Sequence, residues 1–179
     1  MSVTKIPFRK KIALNLHRKY RNNEKRLHQL NYILWECTLR CNLDCIHCGS
    51  DCKKDASIKD MPAKDFFRAI DEVTPIVDNH KTMIVLTGGE AILRKDIREI
   101  GEGLYQREFP WGVVSNGYAL NEQKLKLLMD AGMRSITISL DGLENSHNWL
   151  RGNKNSFQHA YNAIKLLNRT ENLRFDSNW

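Results

Sequence analysis

Residues 32–52 read YILWECTLRCNLDCIHCGSDC, an apolar run that passes directly into a loop holding Cys37, Cys41, Cys45, Cys48 and Cys52, all of the cysteines in the chain. Tyr32 to Glu36 has the short, aromatic and branched composition of a strand, and the polar, cysteine-bearing stretch after it has none. A strand that feeds a chemically loaded loop at its carboxyl end is the arrangement of a βα unit.

Working outward, further strand candidates lie at Met83 to Thr87, Gly112 to Ser115, Ser135 to Leu140 and, more weakly, Leu173 to Phe175. Helical periodicity fills the intervals. Pro62 to Thr74 places Phe66, Ile70 and Val73 on one face, and the segment from Asp96 repeats apolar residues at Ile97, Ile100 and Leu104. A third helix starts at Asn121 and stops at Gly132, and a fourth follows Ser156 with Phe157, Ala160, Ile164 and Leu167. Strand and helix alternating at this spacing predict an α/β fold with parallel strands, a partial TIM-type (β/α) barrel. At 179 residues the barrel is incomplete at its C-terminus, since a closed eight-fold barrel takes ~250 residues. The chain therefore reads as a fragment of a longer protein, or as one that another chain completes.

The net charge of +7 is concentrated at the start of the chain. Residues 1–36 hold nine Lys or Arg against Glu24 and Glu36, and the remainder is balanced. With Ile12, Leu16, Tyr20, Leu27 and Leu30 mostly at helical spacing, residues 1–31 read as a basic amphipathic helical arm and residues 32–179 as the core domain. Such an arm suits an anionic lipid, an acidic peptide or a nucleic acid, or is a plain solvated helix; the scarcity of interleaved aromatics argues against nucleic acid. No run reaches the ~18 apolar residues of a membrane span, and no signal-peptide core is present, so the expected compartment is the cytoplasm.

In that compartment disulfides are disfavoured, and the clustered thiols read as metal ligands. Three species compete. Zinc would take four ligands from the cysteines and His47; an electron-transfer cluster would take Cys41, Cys45, Cys48 and Cys52; a four-iron cluster with one open iron would take only Cys41, Cys45 and Cys48. Cys37 and Cys52 also have plain readings, a small buried hydrophobe and a free thiol.

The C-x3-C-x2-C spacing of Cys41, Cys45 and Cys48 resembles the signature of the radical S-adenosylmethionine (radical SAM) enzymes. Further matches fall at the ends of the predicted strands. Thr87-Gly88-Gly89-Glu90 is similar to the family's GGE motif, Ser115-Asn116-Gly117 to its S/T-N-G, and Ser139-Leu140-Asp141-Gly142 to its S-x-D-G. His147 through Arg151-Gly152, followed by Ser156-Phe157, resembles the H-x3-R-G stretch of the peptide-modifying branch. Taken singly, these glycine-bearing pairs are ordinary turns; three of them in order after three strands, behind the cysteine spacing that follows the first, are not. His147 taken alone is an ordinary satisfied polar residue.

The resemblance implies a [4Fe-4S] cluster on Cys41, Cys45 and Cys48, with the open iron taken by S-adenosyl-L-methionine. The cluster's electron would cleave that cofactor to a 5′-deoxyadenosyl radical that abstracts hydrogen from substrate. Gly88, Gly89 and Glu90 would hold the methionine amino group, the glycines letting the backbone approach the ligand, while Asn116, Ser139, Asp141 and Arg151 would contact ribose or carboxylate. The implied partners are a peptide or protein substrate and an electron donor such as flavodoxin or ferredoxin, with a tetrapyrrole or small-metabolite substrate as the rival. A non-catalytic ferredoxin-like or zinc module is the rival outside enzymes. Two departures stand out: His47 occupies a position that is often aromatic in the family, and the chain lacks the cysteine-rich C-terminal extension, often called SPASM, that peptide-modifying relatives carry.

Overall fold

The computed structural model describes residues 6–27 and 29–170. The chain divides into two compact units with the break after Leu30. The first contains one helix, α1 (Phe8–Leu27), none of whose residues is buried.

The second unit is a four-stranded, all-parallel sheet of β1 (Tyr32–Thr38), β2 (Met83–Gly88), β3 (Trp111–Ser115) and β4 (Met133–Ile138). Spatial order equals chain order, β1-β2-β3-β4, so each connection is one crossover to the adjacent strand. The crossovers carry α2 (Ala63–Val73), α3 (Ile97–Gln106) and α4 (Glu122–Asp130); α5 (Glu144–Leu150) and α6 (Ser156–Asn168) follow β4.

On α2, α3 and α4 the apolar periodicity read from the sequence faces the sheet, whereas α6 buries Ser156, Ala160, Ala163 and Leu167 and leaves Phe157 and Ile164 half-buried. Phe66 and Ile70 of α2, Ile97, Ile100 and Leu104 of α3, and Leu125 and Leu128 of α4 pack with Ile84, Leu86, Trp111 and Val113 in one core. Phe66 stacks flat on Trp35 of β1 at 3.7 Å between ring centroids. Trp111 is fully buried and its Nε1–H donates to Ala131 O at 3.2 Å, so the largest core side chain leaves no polar atom unpaired. Asn121 caps α4, its side chain accepting from Lys124 N at 2.8 Å.

Several boundaries move. β1 runs on to Thr38 through a bulge between Glu36 and Thr38, β3 and β4 begin at Trp111 and Met133, and β4 ends at Ile138, leaving Ser139 and Leu140 in the following loop. The fifth strand, Leu173 to Phe175, lies outside the described residues. Helix α5 has no counterpart in the apolar pattern, because its sequence ENSHNWL buries only His147. Among the described residues no helix is long and apolar enough to cross a membrane.

Candidate functional site

The bulge at Cys37 turns the end of β1 toward the cysteine loop. Its thiol donates to Thr87 O at 3.3 Å inside the main core, away from the loop, and burial pushes its pKa up to about 12. Beyond it, Lys53 closes the loop on itself: Cys41 N donates to Lys53 O at 3.0 Å, and Lys53 N to Leu39 O at 3.1 Å. The loop's base is held against β2 as well. Gly89 N donates to Thr38 O at 2.7 Å and Glu90 N to Arg40 O at 2.9 Å. A Cβ on Gly89 would stand 2.3 Å from Arg40 O. Close backbone approach is thus what the glycines allow, as the sequence suggested, but what approaches is the base of the cysteine loop.

Above this base lies a cavity of about 230 Å³ walled by Cys41, Cys45, Cys48 and Cys52 together with Gly88, Gly89, Asn116, Ser139 and Arg151. Larger hollows, between α4 and α6 and at the amino ends of the strands, contain no cysteine and no motif residue. Asn116 reaches across the cavity wall: its Nδ2 donates to Asn42 Oδ1 at 2.8 Å and lies 3.7 Å from Cys41 Sγ, while its Oδ1 accepts from Tyr118 N. Ser139 enters beside it, its N–H bonded to Ser115 O.

The far wall comes from α5. Leu150 O accepts from Ile46 N at 3.0 Å, and Gly152, at φ +62°, packs so closely that a Cβ there would sit 2.4 Å from Asp44 O. This places Arg151 Nη1 3.8 Å from Cys45 Sγ, with Arg151 Nε held by Asp141 Oδ2 at 2.5 Å. His147 is buried, its Nδ1 accepting from Asp141 N at 3.2 Å, and burial, reinforced by Arg151, lowers its pKa.

Two residues grouped with the site by sequence stand off the cavity. Glu90 is fully buried and folded inward, Oε2 accepting from Asn116 N at 2.7 Å and Oε1 from Ile92 N at 3.5 Å. Burial pushes its carboxyl up to about 7. In this arrangement Glu90 ties the loop after β2 to the loop after β3, with no oxygen left facing the cavity. Asp141 likewise stands behind the wall, reaching the site through Arg151 and through His47, whose Nε2 lies 3.9 Å from Asp141 Oδ1. Conversely Cys52, read as a plain thiol, forms part of the wall.

The donor set fits a multi-iron cluster. Cys41, Cys45, Cys48 and Cys52 line one cavity, and a four-iron cluster takes its thiolates on separate irons. Burial raises the Cys48 thiol, but the N–H groups of Cys52, Ser50 and Asp51 outweigh it and lower the pKa, favouring the thiolate that binds metal.

Comparison with known proteins agrees with this chemistry. Residues 35–171 match the Radical SAM superfamily profile. The sporulation killing factor maturation protein SkfB of Bacillus subtilis is 31% identical over 146 residues, 76% of this chain and 33% of the relative. Fe-coproporphyrin III synthase of Methanosarcina barkeri is 26% identical over 132 residues, 74% of this chain and 32% of the relative. The chain thus spans about a third of the length of these two curated relatives. In fold it is similar to Streptococcus suis SuiB bound to S-adenosylmethionine, with a TM-score of 0.62 at 16% identity over 93% of this chain and 39% of SuiB.

Proposed function

Because the chain belongs to the radical SAM superfamily, we propose that it carries the catalytic core of an enzyme that binds a [4Fe-4S] cluster through Cys41, Cys45 and Cys48 and cleaves S-adenosylmethionine reductively. When bound, cluster and cofactor supply a 5′-deoxyadenosyl radical for hydrogen abstraction from substrate. The observation that carries the reading is the single cavity walled by those three cysteines and by Gly88, Gly89, Asn116, Ser139 and Arg151.

Each residue's task follows from its placement. Gly88 and Gly89 let the β2 end close on the base of the cysteine loop, which lies under the cavity. Asn116 and Ser139 present polar atoms along one side. Arg151, oriented by Asp141, offers a cation suited to a carboxylate. Glu90 positions the loops around them.

Substrate class rests on the relatives. The similarity to SkfB favours a ribosomally made peptide or a protein side chain, and the similarity to Fe-coproporphyrin III synthase supports a tetrapyrrole as the second reading. An electron donor such as flavodoxin or ferredoxin and a cytoplasmic location, where thiols stay reduced, complete the proposal.

The test is electron paramagnetic resonance of the anaerobically reconstituted, reduced chain. A four-iron signal that changes on adding S-adenosylmethionine, and that is lost in Cys45→Ala, is the expected result. A signal indifferent to the cofactor would point to an electron-transfer module, and a chain that takes up zinc without iron would sink the reading.

A further inference from the structure

His147 sits behind the α5 wall without lining the cavity. It is 1% exposed, and among the described residues its Nε2 is the one buried side-chain nitrogen or oxygen without a hydrogen-bond partner. A buried polar atom left unpaired is destabilising, so a leucine would serve better here if packing were the whole task. What leucine lacks is an acceptor. His147 Nδ1 accepts from the Asp141 backbone N–H at 3.2 Å, while the carboxylate Oδ2 of the same residue is farther off at 3.7 Å. Asp141 Oδ2 takes Arg151 Nε, and Arg151 N returns to His147 O at 2.9 Å within the helix turn. The three residues close a circuit, and that circuit meets the cavity at Arg151 Nη1, 3.8 Å from Cys45 Sγ.

We propose that His147 is a positioning residue for Arg151: its Nδ1 fixes the main chain of Asp141, and the Asp141 carboxylate in turn aims the guanidinium at the cavity. The inference deepens the functional reading above and rests on it, since Arg151 is there the cation offered to a carboxylate. The loop needs such a fixed point. Gly142 follows Asp141 at φ +143°, where the backbone has a glycine's freedom, and Arg151 is a long side chain with many rotamers. A ring immobilised by burial, in T-shaped contact with Phe157 at 6.0 Å between centroids, gives the Asp141 N–H a partner that cannot turn away. The cation is thereby ordered before any ligand arrives, and the ligand does not bear the entropy of ordering it.

The experiment compares the full chain with His147→Leu and His147→Asn, side chains of similar size of which only Asn carries an acceptor, Oδ1, at the place of Nδ1. Hydrogen exchange at the Asp141 amide is followed in the metal-free chain, with the amides of β2 and β3 as the control for folding. Iron content and affinity for S-adenosylmethionine are measured in the reconstituted chain. His147→Leu is expected to speed exchange at Asp141 and to weaken S-adenosylmethionine binding by about tenfold at full iron content. His147→Asn is expected to recover most of both. Unchanged affinity in His147→Leu would overturn the proposal, and so would an equal loss in the two variants, which packing alone would explain. Loss of iron from His147→Leu would make the residue a support of the whole cysteine loop and overturn it as well. A wild-type chain that holds no cluster would bring down the functional reading instead. The exchange arm stands apart from that failure, because equal exchange at Asp141 in all three chains overturns the proposal by itself.

Discussion

Glu90 is a carboxyl that the fold prefers protonated. Its pKa of about 7 in the folded chain stands above its ordinary 4.5 because burial disfavours the charge. A group shifted upward stabilises the fold fully below its unfolded pKa and loses that contribution as pH rises through the folded value. Stability should therefore fall between about pH 4.5 and about pH 7, by about 3 kcal/mol from this residue. Glu90→Gln keeps an acceptor for Asn116 N–H and should remove that slope, checked by urea unfolding at about pH 5 and about pH 8. Subtracting the variant also separates Glu90 from His147, whose burial-lowered pKa works in the opposite direction. The four residues Thr87 to Glu90 stood out in the sequence by type and position. That the carboxylate turns inward did not, because side-chain direction after a strand end depends on backbone N–H groups contributed from position 116, far along the chain.

At the scale of elements, the alternation of strand and helix was readable because each βα unit carries its own local periodicity and caps. Helix α5 escaped that reading. Glu144–Leu150 buries a histidine where a leucine would announce a core face, and its C-terminal turn exists to pack on residues 44–47. The glycine of its Arg-Gly pair was nonetheless in view, and its φ of +62° against Asp44 O explains the residue type. Gly152→Ala should lift this turn off the cysteine loop at a cost of about 1–3 kcal/mol. The sharper readout is hydrogen exchange at the Ile46 amide, which bonds Leu150 O and should exchange faster in the variant while the amides of β2 and β3 stay protected.

For the whole molecule, stability concentrates where sheet and helices meet. Trp111→Ala, at a fully buried site, should cost about 3–5 kcal/mol. Leu16→Asp on α1, where the side chain is 62% exposed, should stay within about 0.5 kcal/mol; urea midpoints of the two variants check the contrast. The uneven charge of the chain was legible from composition, and most of the cavity wall was legible as motifs at successive strand ends, whereas the place of Cys52 in that wall and the inward turn of Glu90 were not, because they depend on contacts between separate loops. The order of those strands also sets a timetable. Each strand pairs with the one made just before it, so the sheet can grow in the direction of synthesis without waiting for later chain. The cysteine loop is the exception. Cys45 precedes Arg151 by 106 residues, which at ribosomal speed is about 5–20 s. Throughout that interval the thiols of a nascent chain lack the wall that α5 provides, leaving them open to metal and to oxidant alike during the protein's own birth.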